Sequence, residues 1–478
     1  MHSDTTTAQA ATDPAGPTGQ LATWLAQLSL EQVPSHVRER AKHLILDGIG
    51  CAIVGAHLPW SRTAVEAVLA LEGGGNSSVI GWGRKISAPA AALLNGTFIQ
   101  GFELDDFHPY APLHSASLVI PALLASASLR PGTSGAHLLR GAIAGFETGP
   151  RIGLALHGGQ MLSRGWHSGS VFGTHASAAA AGCVLGLDAA RFEDALGLAG
   201  TQSAGLMAAQ YEAMSKRMHH GFSSRNGLYA AFLAQGGYTG IKRVFEREYG
   251  GFLSTFGEGH SPDATQIAAG LGAQWETERI VIKNYAAMAG LHAPLDALFQ
   301  IHARRPLLPE QIERIEVELP HTVFHHGWWP IERPITPIGA QMNVAYALAV
   351  ALLDGAAMVS QFAPHRINQD DVWQLIPRIV ARHDPELDRA GAAGRGQARV
   401  RVHFRDGSQD EQYLQAAHSF LQPLSQEQIV TKFRSLTDGL IASTRQDDIV
   451  RTVLTLEELD DAAALDALLA PSVAAPFD

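Results

Sequence analysis

Residues 101–115 read Gly101-Phe102-Glu103-Leu104-Asp105-Asp106-Phe107-His108-Pro109-Tyr110-Ala111-Pro112-Leu113-His114-Ser115, and they constrain the chain more than any other stretch. Three carboxylates, two histidines and two prolines fall between two runs of small apolar residues, 90–99 and 116–127. Ionisable groups held between buried helices cost stability unless they are paired or used. The prolines oppose a continuous helix. The stretch therefore reads as an irregular loop at the bottom of a pocket, hung between two helices.

The flanking sequence is helical in period. Val37, Ala41, Leu44, Ile45 and Ile49 recur at three- and four-residue steps after Pro34-Ser35, a start signal. Similar patterns cover 61–71, 88–98, 136–152, 174–185, 192–199, 201–210 and 227–234. The last ends at Gly236-Gly237. Many of these segments are rich in Ala and Gly, which lets helices pack closely. Near Trp275 the texture changes. Residues 312–319 and 398–404 alternate with period two, Asp406-Gly407 marks a hairpin, and 411–414 follows. Residues 277–283 read as a possible short strand, 292–301 and 341–353 as helices, and 425–469 as helical again. The expected fold class is mainly α, a large all-helical domain with an inserted smaller α+β lid domain. The expected boundaries are a disordered tail over 1–20, a helical domain from 21–275 and 415–478, and a lid from 276–414.

The balance of charge narrows the partners. The net charge is −11, so nucleic acid is not expected. A polyanionic substrate would need a cationic pocket set against that global field. No uninterrupted apolar run of membrane-spanning length occurs, so no membrane partner is expected. Residues 1–20 lack both the charged start and apolar core of a signal peptide and the arginines of a transit peptide, which points to a cytoplasmic protein. Cys51 and Cys183 lie in apolar helical patterns and read as buried thiols. No metal-binding spacing, GxSxG elbow, phosphate loop or dinucleotide fingerprint is present. Neither a metal nor a cofactor is expected.

Four further clusters carry chemistry: Gly165-Trp166-His167-Ser168-Gly169, Lys216-Arg217-Met218-His219-His220-Gly221, Lys283 with His292, and Gln341 leading to Tyr346. Each alone has a bland reading, because an arbitrary one of 22 histidines is more often packed than catalytic. As an ordered set, together with Glu103-Leu104-Asp105-Asp106, His114-Ser115 and Gly236-Gly237-Tyr238-Thr239-Gly240, they resemble the MmgE/PrpD family over about residues 21–469.

That resemblance implies a cofactor-independent lyase, commonly a homodimer, acting on a small tricarboxylate or dicarboxylate. Residues 111–117, 209–211, Gly327-Trp328 and 332–335 are most similar to family members that decarboxylate cis-aconitate to itaconate. 2-Methylcitrate dehydration and dicarboxylate epimerisation are the alternatives. The resemblance implies Lys216 and Lys283 as cations facing the substrate. It implies His114 as first choice of proton donor, supported by Glu103 or Asp106, with Tyr346 second. His167, His219, His108 and His292 would bind substrate carboxylates. The chain departs from the family pattern at Phe107, where many members have Thr, and at Met288, where some decarboxylases have His. At Glu103 some members have Asp.

Overall fold

The computed structural model describes residues 12–211, 213–389 and 396–477. Most of the tail expected over 1–20 lies outside them, but its last residues belong to a helix, Pro17–Gln27, started by a proline at its first turn. A layered set of helices follows: Ser35–Gly55, Pro59–Leu71, Ala88–Ile99, Ala116–Ser128, Gly135–Ala155, Gly173–Leu185, Ala189–Thr201 and Ser215–Gln235. Ser87, Ser134 and Asp188 cap three of them through their side chains. A two-stranded hairpin, β1 (Ser77–Val79) and β2 (Arg84–Ile86), is an addition that its few residues did not announce.

Small residues set how closely these helices approach. A Cβ added to Gly221 would fall 2.1 Å from Leu93 O, and one on Gly96 would fall 2.9 Å from Gly221 Cα. Helices Ala88–Ile99 and Ser215–Gln235 therefore cross almost backbone to backbone. That crossing brings the start of the second helix, with Lys216 and Arg217, onto the end of the first, where the loop from Glu103 begins.

The C-terminal helices Gln426–Thr437 and Ser443–Leu454 pack on Ser35–Gly55, so both ends of the chain share one core. Lys432 ties this junction to the loop. Its ammonium pairs with Asp47 at 2.6 Å and donates to Leu104 O at 2.9 Å. Cys51 and Cys183 are buried free thiols. No single described helix is long and apolar enough to cross a membrane.

A second sheet is built from β3 (Ile312–Leu319), β4 (Ile379–His383), β5 (Ala398–Phe404) and β6 (Gln409–Leu414), in the order β4-β3-β5-β6. β3 pairs parallel with β4 and antiparallel with β5, and β5 and β6 form the expected hairpin. Along β5 every second side chain is buried, the signature of a sheet with one face on a core. Helices His292–Arg304 and Val344–Asp354 pack beside it.

Two expected elements differ. Residues 276–279 form a 3-10 turn, and beyond it only Val281 bridges, to Phe107, so 277–283 is not a strand. Glu147 explains the turn, because its carboxylate accepts the Glu276 and Thr277 N–H groups at 3.1 and 2.8 Å. Residues 202–206 are irregular and Met207–Gln210 is a 3-10 turn rather than part of a helix.

Candidate active site

The loop after Ala88–Ile99 takes one 3-10 turn, Gln100–Phe102, and then reverses at Glu103, which has φ 56° and ψ 28°. Left-handed backbone is uncommon for a non-glycine residue. The contacts of the side chain hold it there. Glu103 is buried, and its carboxylate receives the Lys216 ammonium, Arg217 Nη1 at 2.9 Å and Lys283 Nζ at 2.9 Å. Lys283 also reaches Glu103 O at 3.3 Å. Arg217 Nη2 donates to Gln341 Oε1 at 2.6 Å, and Gln341 Nε2 donates to Phe102 O and Ala286 O. Three cations on one anion leave this knot with net positive charge in an acidic protein.

The electrostatics follow from the geometry. Burial would raise the Glu103 pKa, but Lys216, Lys283 and Arg217 together outweigh it and hold it well below the usual carboxylate range. Burial pulls Lys216 down to about 8, with Glu103 resisting and Arg217 and Lys283 adding to the fall. Lys216 is thus an ammonium near neutral pH that can lose its proton in mild alkali.

Lys216, Glu103 and His114 border a cavity of about 550 Å³. His167, Ser168, Gln210 and Arg40 share its polar wall, while Phe107, Val281, Met288, Met342 and Phe420 supply an apolar one. His114 Nδ1 bonds Asp105 Oδ1 at 3.2 Å, which orients the ring and leaves Nε2 as its other functional atom. Arg40, on helix Ser35–Gly55, donates to Ile280 O, while its Nε and Nη1 have no hydrogen-bond partner among the described residues. Burial lowers its pKa to about 10.

His167, on this cavity's wall, lies close to two further histidines, His219 and His220. The His167 and His219 ring centroids are 4.1 Å apart, those of His167 and His220 5.4 Å, and those of His114 and His220 5.3 Å. Burial, followed by His219, His220, Lys216 and His114, holds His167 well below its ordinary pKa. Burial and Lys216 bring His219 to about 4. His219 lines a second cavity, of about 500 Å³.

Several expected site residues are placed elsewhere. His108 is fully buried. Its Nδ1 accepts the Ala111 N–H at 3.0 Å, so Nε2 carries the proton and donates to Glu276 Oε2 at 3.0 Å. Both nitrogens are used, and a substrate-binding role is withdrawn. Asp106 caps helix Ala116–Ser128, its two oxygens accepting the Ser115 and Ala116 N–H groups at 2.7 and 2.8 Å. Burial and then Asp105 push this carboxyl up to about 8, against the two N–H groups. Asp106 does not border the cavity, so it supports the loop rather than a proton donor.

Tyr346 is a core phenol whose hydroxyl donates to Gln361 O at 2.7 Å, which removes it as a donor to substrate. His292 is buried behind Lys283, with Nε2 3.3 Å from Ala287 O. Burial lowers its pKa to about 3. Lys283 itself is spent on Glu103 and does not border the cavity, so it acts on the cavity through Glu103. Among the described residues no group of three or more His, Cys, Asp or Glu side chains is arranged to hold a metal ion.

Residues 19–265 match the MmgE/PrpD N-terminal domain and residues 285–458 the MmgE/PrpD C-terminal domain. The chain belongs to the MmgE/PrpD family. Within it, the chain is 44% identical to a cis-aconitate decarboxylase-like protein of Aspergillus oryzae, covering 95% of this chain and 97% of that one. It is 42% identical to the cis-aconitate decarboxylase of Aspergillus terreus over 97% of each. It is 28% identical to the human cis-aconitate decarboxylase, covering 95% of this chain and 94% of that protein.

In this MmgE/PrpD chain, reading by motif missed Arg40 and the linking roles of Arg217 and Gln341. Arg217 and Gln341 sat inside quoted motifs, and a buried Arg among small residues was a signal that it needed a partner. Arg40 lay on a helix face read only for its apolar period.

Proposed function

We propose that this protein decarboxylates cis-aconitate to itaconate without a cofactor. The single observation that carries this reading is the Lys216 ammonium facing the cavity beside His114, backed by a carboxylate already shared with two other cations. The similarity to named cis-aconitate decarboxylases over nearly the full chain supports the same reading.

The chemistry suits such a cavity. cis-Aconitate carries a carboxymethyl arm beside a double bond conjugated to another carboxylate. Breaking the bond from the arm to its carboxylate releases CO2 and leaves the electron pair in an allylic system. The charge spreads onto the conjugated carboxylate, so the substrate supplies its own electron sink. Lys216 and the Arg40 guanidinium are the cations for that developing charge. The His114 imidazolium, positioned by Asp105, gives its Nε2 proton to the far carbon, and the C–H bond of itaconate forms there. His167 helps to hold a retained carboxylate. The apolar wall of Phe107, Met288, Met342 and Phe420 faces the departing group, where loss of charge is favoured.

Residues 276–414 serve as a lid in this reading, because the cavity lies between Lys216 and His114 on one side and Val281, Met288 and Met342 on the other. The protein acts as a cytoplasmic homodimer. Tyr229 and Leu233, exposed near the end of helix Ser215–Gln235, and Tyr238, exposed just after it, support self-association. Light scattering that gives the mass of one chain overturns the dimer.

Proton NMR after incubation with cis-aconitate, and separately with 2-methylcitrate, tests the reaction. New vinylidene signals with cis-aconitate are expected. Change only with 2-methylcitrate transfers the site to dehydration.

A further inference from the structure

Each turnover of the proposed reaction consumes a proton. The substrate trianion becomes an itaconate dianion and neutral CO2, with one C–C bond broken and one C–H bond made. The donor must therefore be reloaded every cycle, and a protonated path to it sets how fast that happens.

We propose that His219 and His167 form a proton relay that reloads the donor from the second cavity. This rests on the decarboxylation reading above. His167 lines the first cavity and His219 the second, so the two rings together make the wall between them. Their centroids are 4.1 Å apart at an interplanar angle of 39°. The Nδ1 atoms of both are buried with no hydrogen-bond partner among the described residues. Buried imidazole nitrogens are normally paired, and two unpaired ones side by side suit a site that exchanges protons.

His220 is not the path. A Cβ on Gly169 would fall 2.1 Å from His220 Nε2, so that nitrogen is walled in by backbone, and Nδ1 is held by Ser117 Oγ at 2.6 Å. His220 instead keeps His114 and His167 apart at fixed spacing. The second cavity is polar where it meets His219, with Ser223, Arg225, Asn226 and Gln202 on its wall. Water entering between these side chains would be the immediate proton source in this scheme.

The step balances without another reagent. Water or a buffer acid in the second cavity protonates His219 on its outer nitrogen. His219 gives up the proton on Nδ1 to His167 after a small ring rotation. His167 releases the proton on its other nitrogen into the first cavity, where it reaches His114 Nε2, which lost one to carbon, and each relay ring, left as the opposite tautomer, flips back before the next turnover. Both rings are neutral at rest, held so by burial and by Lys216. A neutral imidazole can take a proton on one nitrogen and release one from the other, which a permanently charged group cannot do.

The test compares wild type with His219→Ala and His219→Gln in weak buffer, with and without added imidazole. His219→Gln keeps size and polarity and guards against a folding defect. The expected result is a kcat lower by about tenfold or more in both variants, with KM unchanged. The solvent deuterium isotope effect on kcat should be larger, and imidazole should restore His219→Ala. Full kcat in His219→Gln, or a loss that imidazole does not restore in His219→Ala, overturns the relay. Failure of wild type to form itaconate is a separate result, which overturns the reaction itself.

Discussion

Glu103→Gln is the substitution that asks most of this structure. The glutamine keeps the size and an accepting oxygen but removes the negative charge that Lys216, Lys283 and Arg217 share. At 2.9 Å, the distance to both Arg217 and Lys283, a single ion pair is worth about 6 kcal/mol of gross attraction at an effective dielectric of about 20. Relaxation and water entry return part of that. Removing one partner of a buried pair typically costs about 3–5 kcal/mol, a large share of the roughly 5–15 kcal/mol by which a domain is stable. Urea unfolding followed by tryptophan fluorescence reads the loss.

The pH profile of the same variant gives an independent reading. Glu103 is the group that resists the fall of the Lys216 pKa, which stands at about 8 in the folded protein. Without Glu103, Lys216 loses its proton at lower pH, so the alkaline limb of kcat/KM moves to lower pH. The sign for stability is fixed by linkage. A lysine with a depressed folded pKa binds more protons when unfolded, between about 8 and its ordinary value of 10.5. Its contribution therefore makes stability rise with pH across that window. Unchanged stability together with an unmoved alkaline limb would refute the view that Glu103 governs the charge of the cavity.

Other outcomes follow from the same contacts. In the wild type, KM for cis-aconitate should rise above about pH 8 as Lys216 becomes neutral; a flat KM across that range contradicts its place in binding. Tyr346→Phe should leave kcat unchanged and cost about 1 kcal/mol through the lost bond to Gln361 O, measured by denaturation; a large fall in kcat would restore the phenol as a donor. His108→Leu should cost about 1–3 kcal/mol by stranding the Ala111 N–H and taking one donor from Glu276, which keeps Arg279, with KM intact in the folded fraction.

Local signals were legible where the physics is local. Alternation in Ile312–Leu319 and Ala398–Phe404 marked strands because one face of each meets the core. Proline and clustered charge at 101–115 marked a loop at the bottom of a pocket, and Lys216 and His114 do border one. What was lost is non-local. Asp106 caps a helix that starts ten residues later, too far for a capping signature, so it looked catalytic. His108 is satisfied by Glu276, distant in the chain, so it looked available. Residues 277–283 looked like a strand, but Glu147 takes the N–H groups that begin the segment and bends it into a turn. Lys283 was legible as a partner of Lys216, but not the fact that both would meet at Glu103.

Decarboxylation in this cavity depends most directly on Lys216 supplying positive charge to the reacting carboxylate. Lys216→Met keeps the side chain's length and removes the charge. If the protein folds as wild type, kcat/KM for cis-aconitate should fall at least about a hundredfold, the equivalent of about 2.7–4 kcal/mol of transition-state stabilisation. A folded Lys216→Met protein that forms itaconate at close to the wild-type rate would contradict the account.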